Sequence, residues 1–97
     1  MSTGAKPAID ELEAVRREIE AIDAKLVDLI AERMQLMRRV GSVKRAAGVP
    51  TLDPAREASV IRRASLLARQ AGIPDEDVRT IFWRLMLMAR AAQAEER

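Results

Sequence analysis

The chain has 97 residues, and its 17 basic and 15 acidic side chains are interspersed, leaving a net charge of +2. The pI of 9.7 reflects missing buffers (no His, Cys or Tyr) rather than a basic face, so the charge pattern is not a nucleic-acid footprint. Phe82 and Trp83 are the only aromatic residues, too few for a base-stacking platform, and the absence of cysteine excludes disulfides and thiolate metal sites.

In chain order, residues 1–8 (MSTGAKPA) read as a flexible tail with no signal peptide, and residues 9–97 as one helical domain. From Ile9 to Ala47 there is no proline and one glycine, Gly41. Apolar residues recur at steps of three and four: Leu12, Val15, Ile19, Ile22, Leu26, Leu29, Leu36, Val40 and Val43. This is a heptad seam on one helix of about 58 Å. Asp10 and Glu11 are expected in its first turn, where the helix dipole favours negative charge. A compact domain of this length has a radius of gyration of only about 13 Å. The seam therefore needs a second chain, and an obligate homodimer is expected.

Gly48-Val49-Pro50 ends the first helix. Asp53-Pro54 reads as an N-cap followed by a proline at the first helical position. The second helix runs to about Ala71, with Val60, Ile61, Ala64, Leu67, Ala68 and Ala71 on one side. Gly72 stops it and Asp75 is expected to cap the third helix. That helix should bury Val78, Ile81, Phe82, Leu85, Met88, Ala89 and Ala92. With no strand alternation and no repeat, the fold class is all-α. No segment approaches ~20 consecutive apolar residues, so no membrane span is expected.

Without His or Cys, the usual nucleophile–base pairs and metal sites are missing. Cations, carboxylates and one amide remain, which suit binding and electrostatic stabilisation. Arg33 occupies a seam position where an aliphatic residue is due. A guanidinium there costs several kcal/mol unless an anion meets it. A carboxylate across a coiled-coil interface would serve. Lys44 offers another reading: it lies three turns on, about 20° around and roughly 16 Å along the helix, leaving room for a small anion between the two cations. Alternatively, Lys44 is a solvated charge favoured by the helix C-terminus.

Arg16 lies about 25 Å from Arg33 on the same helix. In an antiparallel pair with a dyad near residue 27, Arg16 of the second chain would fall between Arg33 and Lys44 of the first, giving two shared sites. Asp53 and Glu57 suit a helix N-terminus as cap and dipole-compatible acid, whereas Arg56 is disfavoured there. Gln93, polar on an apolar stripe, reads by itself as part of a frayed, solvated last turn. Trp83, Met86 and Met88 read as packing, and Arg38-Arg39 as a solvated face.

Together these pieces resemble the all-helical class of chorismate mutase. VRREIEAIDAKLVDLIAERMQLMRRVGSVK resembles that family's long first helix, with its Arg, I-D, A-E-R and V-G-x-x-K steps. GVPTLDPAREASVI resembles its loop and second-helix start, D-x-x-R-E, and the third helix carries F-x-x-L…A-x-x-x-Q. The similarity covers about residues 10–95.

The resemblance implies rearrangement of chorismate to prephenate in aromatic amino-acid biosynthesis, without cofactor or metal, by a cytoplasmic homodimer with sites shared between chains. It implies that Arg33 and the partner's Arg16 bind the substrate carboxylates and that Lys44 and Gln93 flank the ether oxygen. Glu57 would accept from the ring hydroxyl, with Asp53 nearby and Arg56 supporting the ring carboxylate. Ala89 stands where the family often has a serine contacting that carboxylate, a loss of ~1 kcal/mol.

Four alternatives remain, one of them a nucleic-acid-binding helical dimer that the balanced charge disfavours. Isochorismate-pyruvate lyase shares the fold and the cationic cluster, but the D-x-x-R-E motif favours the mutase. An amino-substituted chorismate is a conceivable substrate, because Glu57 and Asp53 would read the group that differs. A regulatory helical dimer partnering a shikimate-pathway synthase is the reading from another class, and the intact loop motif argues against it.

Overall fold

The computed structural model describes residues 4–95. It contains three helices, α1 (Ala5–Ala47), α2 (Pro54–Gln70) and α3 (Asp75–Gln93), and no strand among the described residues. The expected all-α class is found. The helix begins at Ala5, so residues 5–8, expected within a tail, are helical; the first three residues of that tail lie outside the described residues. Pro7 is tolerated because the first-turn N–H groups have no intrahelical partner. The earlier start moves Asp10 and Glu11 out of the first turn, where no acidic residue remains. Asp10 instead pairs with Lys6 one turn before it, at 3.1 Å.

α1 and α2 end in the same way. Gly48 (φ 68°) and Gly72 (φ 73°) take the left-handed conformation that closes a helix. Val49 N–H then donates to the Lys44 carbonyl and Ile73 N–H to the Ala68 carbonyl, both at 3.0 Å. α2 starts as expected: the Asp53 carboxylate accepts from Arg56 N–H at 3.1 Å, with Pro54 as the first helical residue.

α3 starts differently. Its N-cap is Pro74, without a side-chain cap, and Asp75 is already inside the helix. The Asp75 carboxylate is used across the corner between helices. Its Oδ2 accepts from Ser65 Oγ at 3.0 Å and from Arg69 Nε and Nη2 at 3.2 and 3.0 Å. A neutral hydroxyl and a guanidinium from α2 outcompete the local cap.

The residues up to Glu32 and those from Arg33 onward form two separate compact units, the boundary falling within α1. In the first unit, Ile9, Leu12, Val15, Ile19, Ile22, Leu26 and Leu29 are all exposed, at 42% to 60%. In the second, α2 and α3 pack together, and the buried residues are mainly small: Ala64, Ser65 and Ala68 from α2, with Met86, Ala89, Ala92 and Gln93 from α3. Ile81, Met88, Leu67 and Ala71, expected inside, are exposed in the single chain. The buried strip is narrow because alanines make most of it, and the longer apolar side chains project beyond it.

Hydrogen bonds from Ser65 and then Arg69, aided by the charges of Arg69 and Arg79, hold the Asp75 carboxyl below its ordinary value. A group with a depressed folded pKa contributes stability that is present above its unfolded value of ~3.9 and lost as pH falls through the folded value. Asp75→Asn should therefore lower Tm at pH 7, and the gap from the parent protein should close below about pH 4. Thermal melts followed by circular dichroism at pH 7 and pH 3 check this; a gap independent of pH would show that the charge is not what matters.

Candidate functional site

The second unit contains a cavity of about 280 Å³, lined by residues from all three helices and the loop after α1. Each helix contributes one stripe. Arg33, Met37, Val40 and Lys44 follow steps of four, three and four along α1. Asp53, Arg56, Glu57 and Val60 occupy the start of α2, and Met86, Ala89 and Gln93 fall on one face of α3. Residues at such spacings share a helix face. Thr51 closes the loop side.

Most of the residues singled out in the sequence meet here: Arg33, Lys44, Asp53, Arg56, Glu57, Ala89 and Gln93 all line the cavity. Arg16 belongs to the first unit, where it is exposed. Met86, read as packing, is buried and also lines the cavity, whereas Met88 and Trp83 are 41% and 49% exposed.

Gln93 is not a solvated amide. It is 7% exposed, and its Oε1 accepts from Lys44 Nζ at 3.0 Å. Lys44 Nζ also donates to the Thr51 carbonyl at 2.8 Å. An ammonium has three donors, so one stays available. Because the Gln93 oxygen is engaged by a cation, its NH2 group, which has no hydrogen-bond partner among the described residues, is left as a donor. Arg33 and Arg56 make no side-chain hydrogen bond or ion pair within the described residues. The cavity thus presents two guanidiniums, an ammonium and an amide donor, over an apolar floor of Met37, Val40, Val60 and Met86.

Ala89 is 5% exposed and brings no polar atom to this wall. Arg38, read as part of a solvated face, instead donates to Glu95 Oε2 at 2.6 Å.

Arg90, which the sequence did not single out, is a neighbour of the cavity-lining Glu57. Its Nε and Nη2 donate to the two Glu57 carboxylate oxygens at 2.8 and 2.7 Å, a bidentate pair, and its guanidinium lies 5.8 Å from the centre of the Trp83 ring. Arg90 sits one turn before Gln93, a spacing that could have flagged it. The Arg90 hydrogen bonds are the main reason the Glu57 carboxyl is held below its ordinary value; the charges of Arg90 and Lys44 act the same way, against the opposing effect of partial burial. Glu57 is therefore a carboxylate, acceptor-only, through the neutral range.

No group of acidic, His or Cys residues among the described residues could hold a metal ion, and no helix there is long and apolar enough to cross a membrane. The arrangement can bind a small multiply charged anion and place positive charge and hydrogen-bond donors on one side of it.

Removing the guanidinium should raise the Glu57 pKa. In Arg90→Gln, carbon-detected NMR should find the Glu57 carboxyl titrating at higher pH than in the parent chain. An unchanged midpoint would mean that Arg90 does not set its charge.

Comparison with known proteins gives the same picture. The family model described as chorismate mutase type II matches residues 15–94. The chain is 36% identical over 78 residues to the T-protein of Enterobacter agglomerans, covering 80% of this chain and 21% of that one. It is 36% identical over 81 residues to the 4-amino-4-deoxychorismate mutase of Streptomyces pristinaespiralis, covering 84% and 63%. It is 32% identical over 79 residues to the chorismate mutase of Methanocaldococcus jannaschii, covering 81% and 79%. The chain spans about a fifth of the T-protein's length and somewhat under two thirds of the Streptomyces protein's. The match of the family model to most of the chain, joined to the three-helix fold and the cation-lined cavity, shows that this chain belongs to the chorismate mutase type II family.

Proposed function

We propose that the chain catalyses the rearrangement of chorismate to prephenate, serving aromatic amino-acid biosynthesis in the cytoplasm. The observation that carries this is the convergence of unpaired Arg33 and Arg56 with the Lys44–Gln93 pair on one cavity. The reaction is intramolecular and needs no base, nucleophile or metal. A protein accelerates it by holding the dianion in its compact conformer and by stabilising negative charge as it grows on the ether oxygen. Arg33 and Arg56 are suited to the carboxylates, and the spare Lys44 donor and the Gln93 NH2 to the ether oxygen. Met37, Val40, Val60 and Met86 give the cavity an apolar floor from which a bound ligand would displace water, which strengthens each of these interactions.

Glu57 bears on the choice of substrate. A carboxylate already paired with Arg90 keeps lone pairs for a ring hydroxyl but is a poor counter-ion for an ammonium. This favours chorismate over its 4-amino analogue, although two relatives carry the name 4-amino-4-deoxychorismate mutase. The kcat/KM for chorismate should exceed that for the amino compound, measured by loss of either substrate.

The working form in this reading is a homodimer in which Arg16 of one chain completes the other's site. Its support is the row of exposed aliphatic residues along α1, which a lone chain leaves against water. Arg16→Ala and Arg33→Ala should each be nearly inactive, since a charged hydrogen bond is worth about 1.5–3 kcal/mol and the substrate has several. Unfolded together and refolded, they should recover roughly a quarter of the parent activity, because half the dimers are mixed and each mixed dimer owns one intact site. No recovery with mixed dimers present would place Arg16 outside the site.

Gln93→Glu tests the donor. A carboxylate can donate only when protonated, near ~4.3 for a free Glu. Chorismate turnover to prephenate should be measurable for the parent protein and flat from about pH 4.5 to 8, the site having no required base. The variant should be slow near neutrality and recover toward acid. Coincident profiles would remove Gln93 from the chemistry, and no prephenate from the parent protein would overturn the proposal.

A further inference from the structure

Gln93 is the last residue of α3, where a helix normally frays because its final carbonyls have no partner. Yet here its side chain is buried beside Lys44. The reason lies on a second stripe of α1, adjacent to the one that lines the cavity. Arg38, Gly41 and Arg45 follow steps of three and four and face the end of α3. Arg45 Nη1 donates to the Gln93 carbonyl at 2.5 Å and Nη2 to the Glu95 carbonyl at 2.9 Å. Arg38 holds the Glu95 carboxylate at 2.6 Å. Between the two arginines, Gly41 is the only buried residue of α1. A Cβ there would lie 2.7 Å from the Gln93 Cα and 2.9 Å from its carbonyl carbon, backbone atoms that cannot turn aside.

We propose that Arg45, with Gly41 allowing the approach and Arg38 securing the residue beyond, clamps the end of α3 to α1 and so positions the Gln93 amide for the reaction. The two stripes divide the work. Lys44 fixes the amide oxygen, and the clamp fixes the backbone from which the side chain hangs. With both held, the NH2 group is left to donate to a ligand in the cavity that Gln93 lines. Arg45 has no polar contact with a cavity-lining side chain; it acts through Gln93. It is a positioning residue, and the inference rests on the reading of Gln93 as donor.

A misplaced donor loses transition-state stabilisation more than binding, and removing a single such donor outright costs roughly 10²–10³-fold in kcat. Arg45→Met keeps the aliphatic stem and is preferable to Gly41→Ala, whose new methyl group would disturb the helix packing itself. Arg45→Met should lower kcat about 5- to 50-fold, a part of that donor's full effect, with KM changed less than about threefold. Arg45→Lys, which can reach one of the two carbonyls, should recover part of the loss.

The decisive comparison is a double-mutant cycle with Gln93→Ala. If Arg45 works through Gln93, Arg45→Met should change kcat by less than about twofold once Gln93 is gone. Equal losses in both backgrounds, or no loss in the parent background, would overturn the proposal. Amide hydrogen exchange provides a readout independent of turnover: in Arg45→Met, exchange at Ala92, Gln93 and Ala94 should accelerate while the middle of α2 keeps its protection. Unaltered exchange there would show that there is no clamp. If Gln93→Ala alone left kcat unchanged, the donor reading of the site would fail, and the exchange measurement would still decide the clamp.

Discussion

The Lys44 ammonium lies between two oxygens from distant parts of the chain, the Thr51 carbonyl and the Gln93 side-chain amide. One side chain on α1 thereby joins the loop that leads into α2 and the far end of α3. Both contacts spend donors of the cation without neutralising it, since neither oxygen belongs to a carboxylate. The charge stays available to a ligand, and the Gln93 amide is turned so that its own donors follow. Arg33, on the same stripe three turns away, is likewise unneutralised. A protein that left these cations unpaired without an anion to meet them would gain nothing from the arrangement. The cavity is best understood as half of an ion pair.

Glu57 shows the opposite design. It is close to the same cations, yet its carboxylate is taken up by Arg90 from α3. This keeps the acid ionised and bound at one wall, so that it does not collapse onto Lys44 or Arg33 and fill the site from within. The Arg90–Glu57 pair also braces the start of α2 against α3, near the place where Ala89 contributes only a methyl group.

Much of this was legible in the sequence. The period of the apolar residues gave three helices, and Gly48, Asp53-Pro54 and Gly72 marked boundaries that backbone chemistry dictates. Arg33 was visible because it interrupts an apolar stripe, and Asp53, Arg56 and Glu57 because they share one helix turn. What was illegible depended on contacts between elements. Gln93 looked solvated because nothing local tells that Arg45 and a bare Gly41 hold the end of its helix. Asp75 looked like a cap because the competing donors, Ser65 and Arg69, come from another helix. Arg90 is one charge among many until the fold brings Glu57 to it. The start of α1 was misjudged because a proline near a helix start is compatible with both a tail and a first turn.

The central claim is that the cavity is built for a compact dicarboxylate held by cations that have no partner of their own. Calorimetric titration with a non-reactive bicyclic dicarboxylate, shaped like the closed conformer of the substrate, tests this without depending on turnover. The account predicts one molecule bound per chain, with affinity falling at least about tenfold in Arg33→Met, the loss expected for one charged hydrogen bond of about 1.5–3 kcal/mol. Equal affinity in the two proteins, or no binding to either, would contradict it.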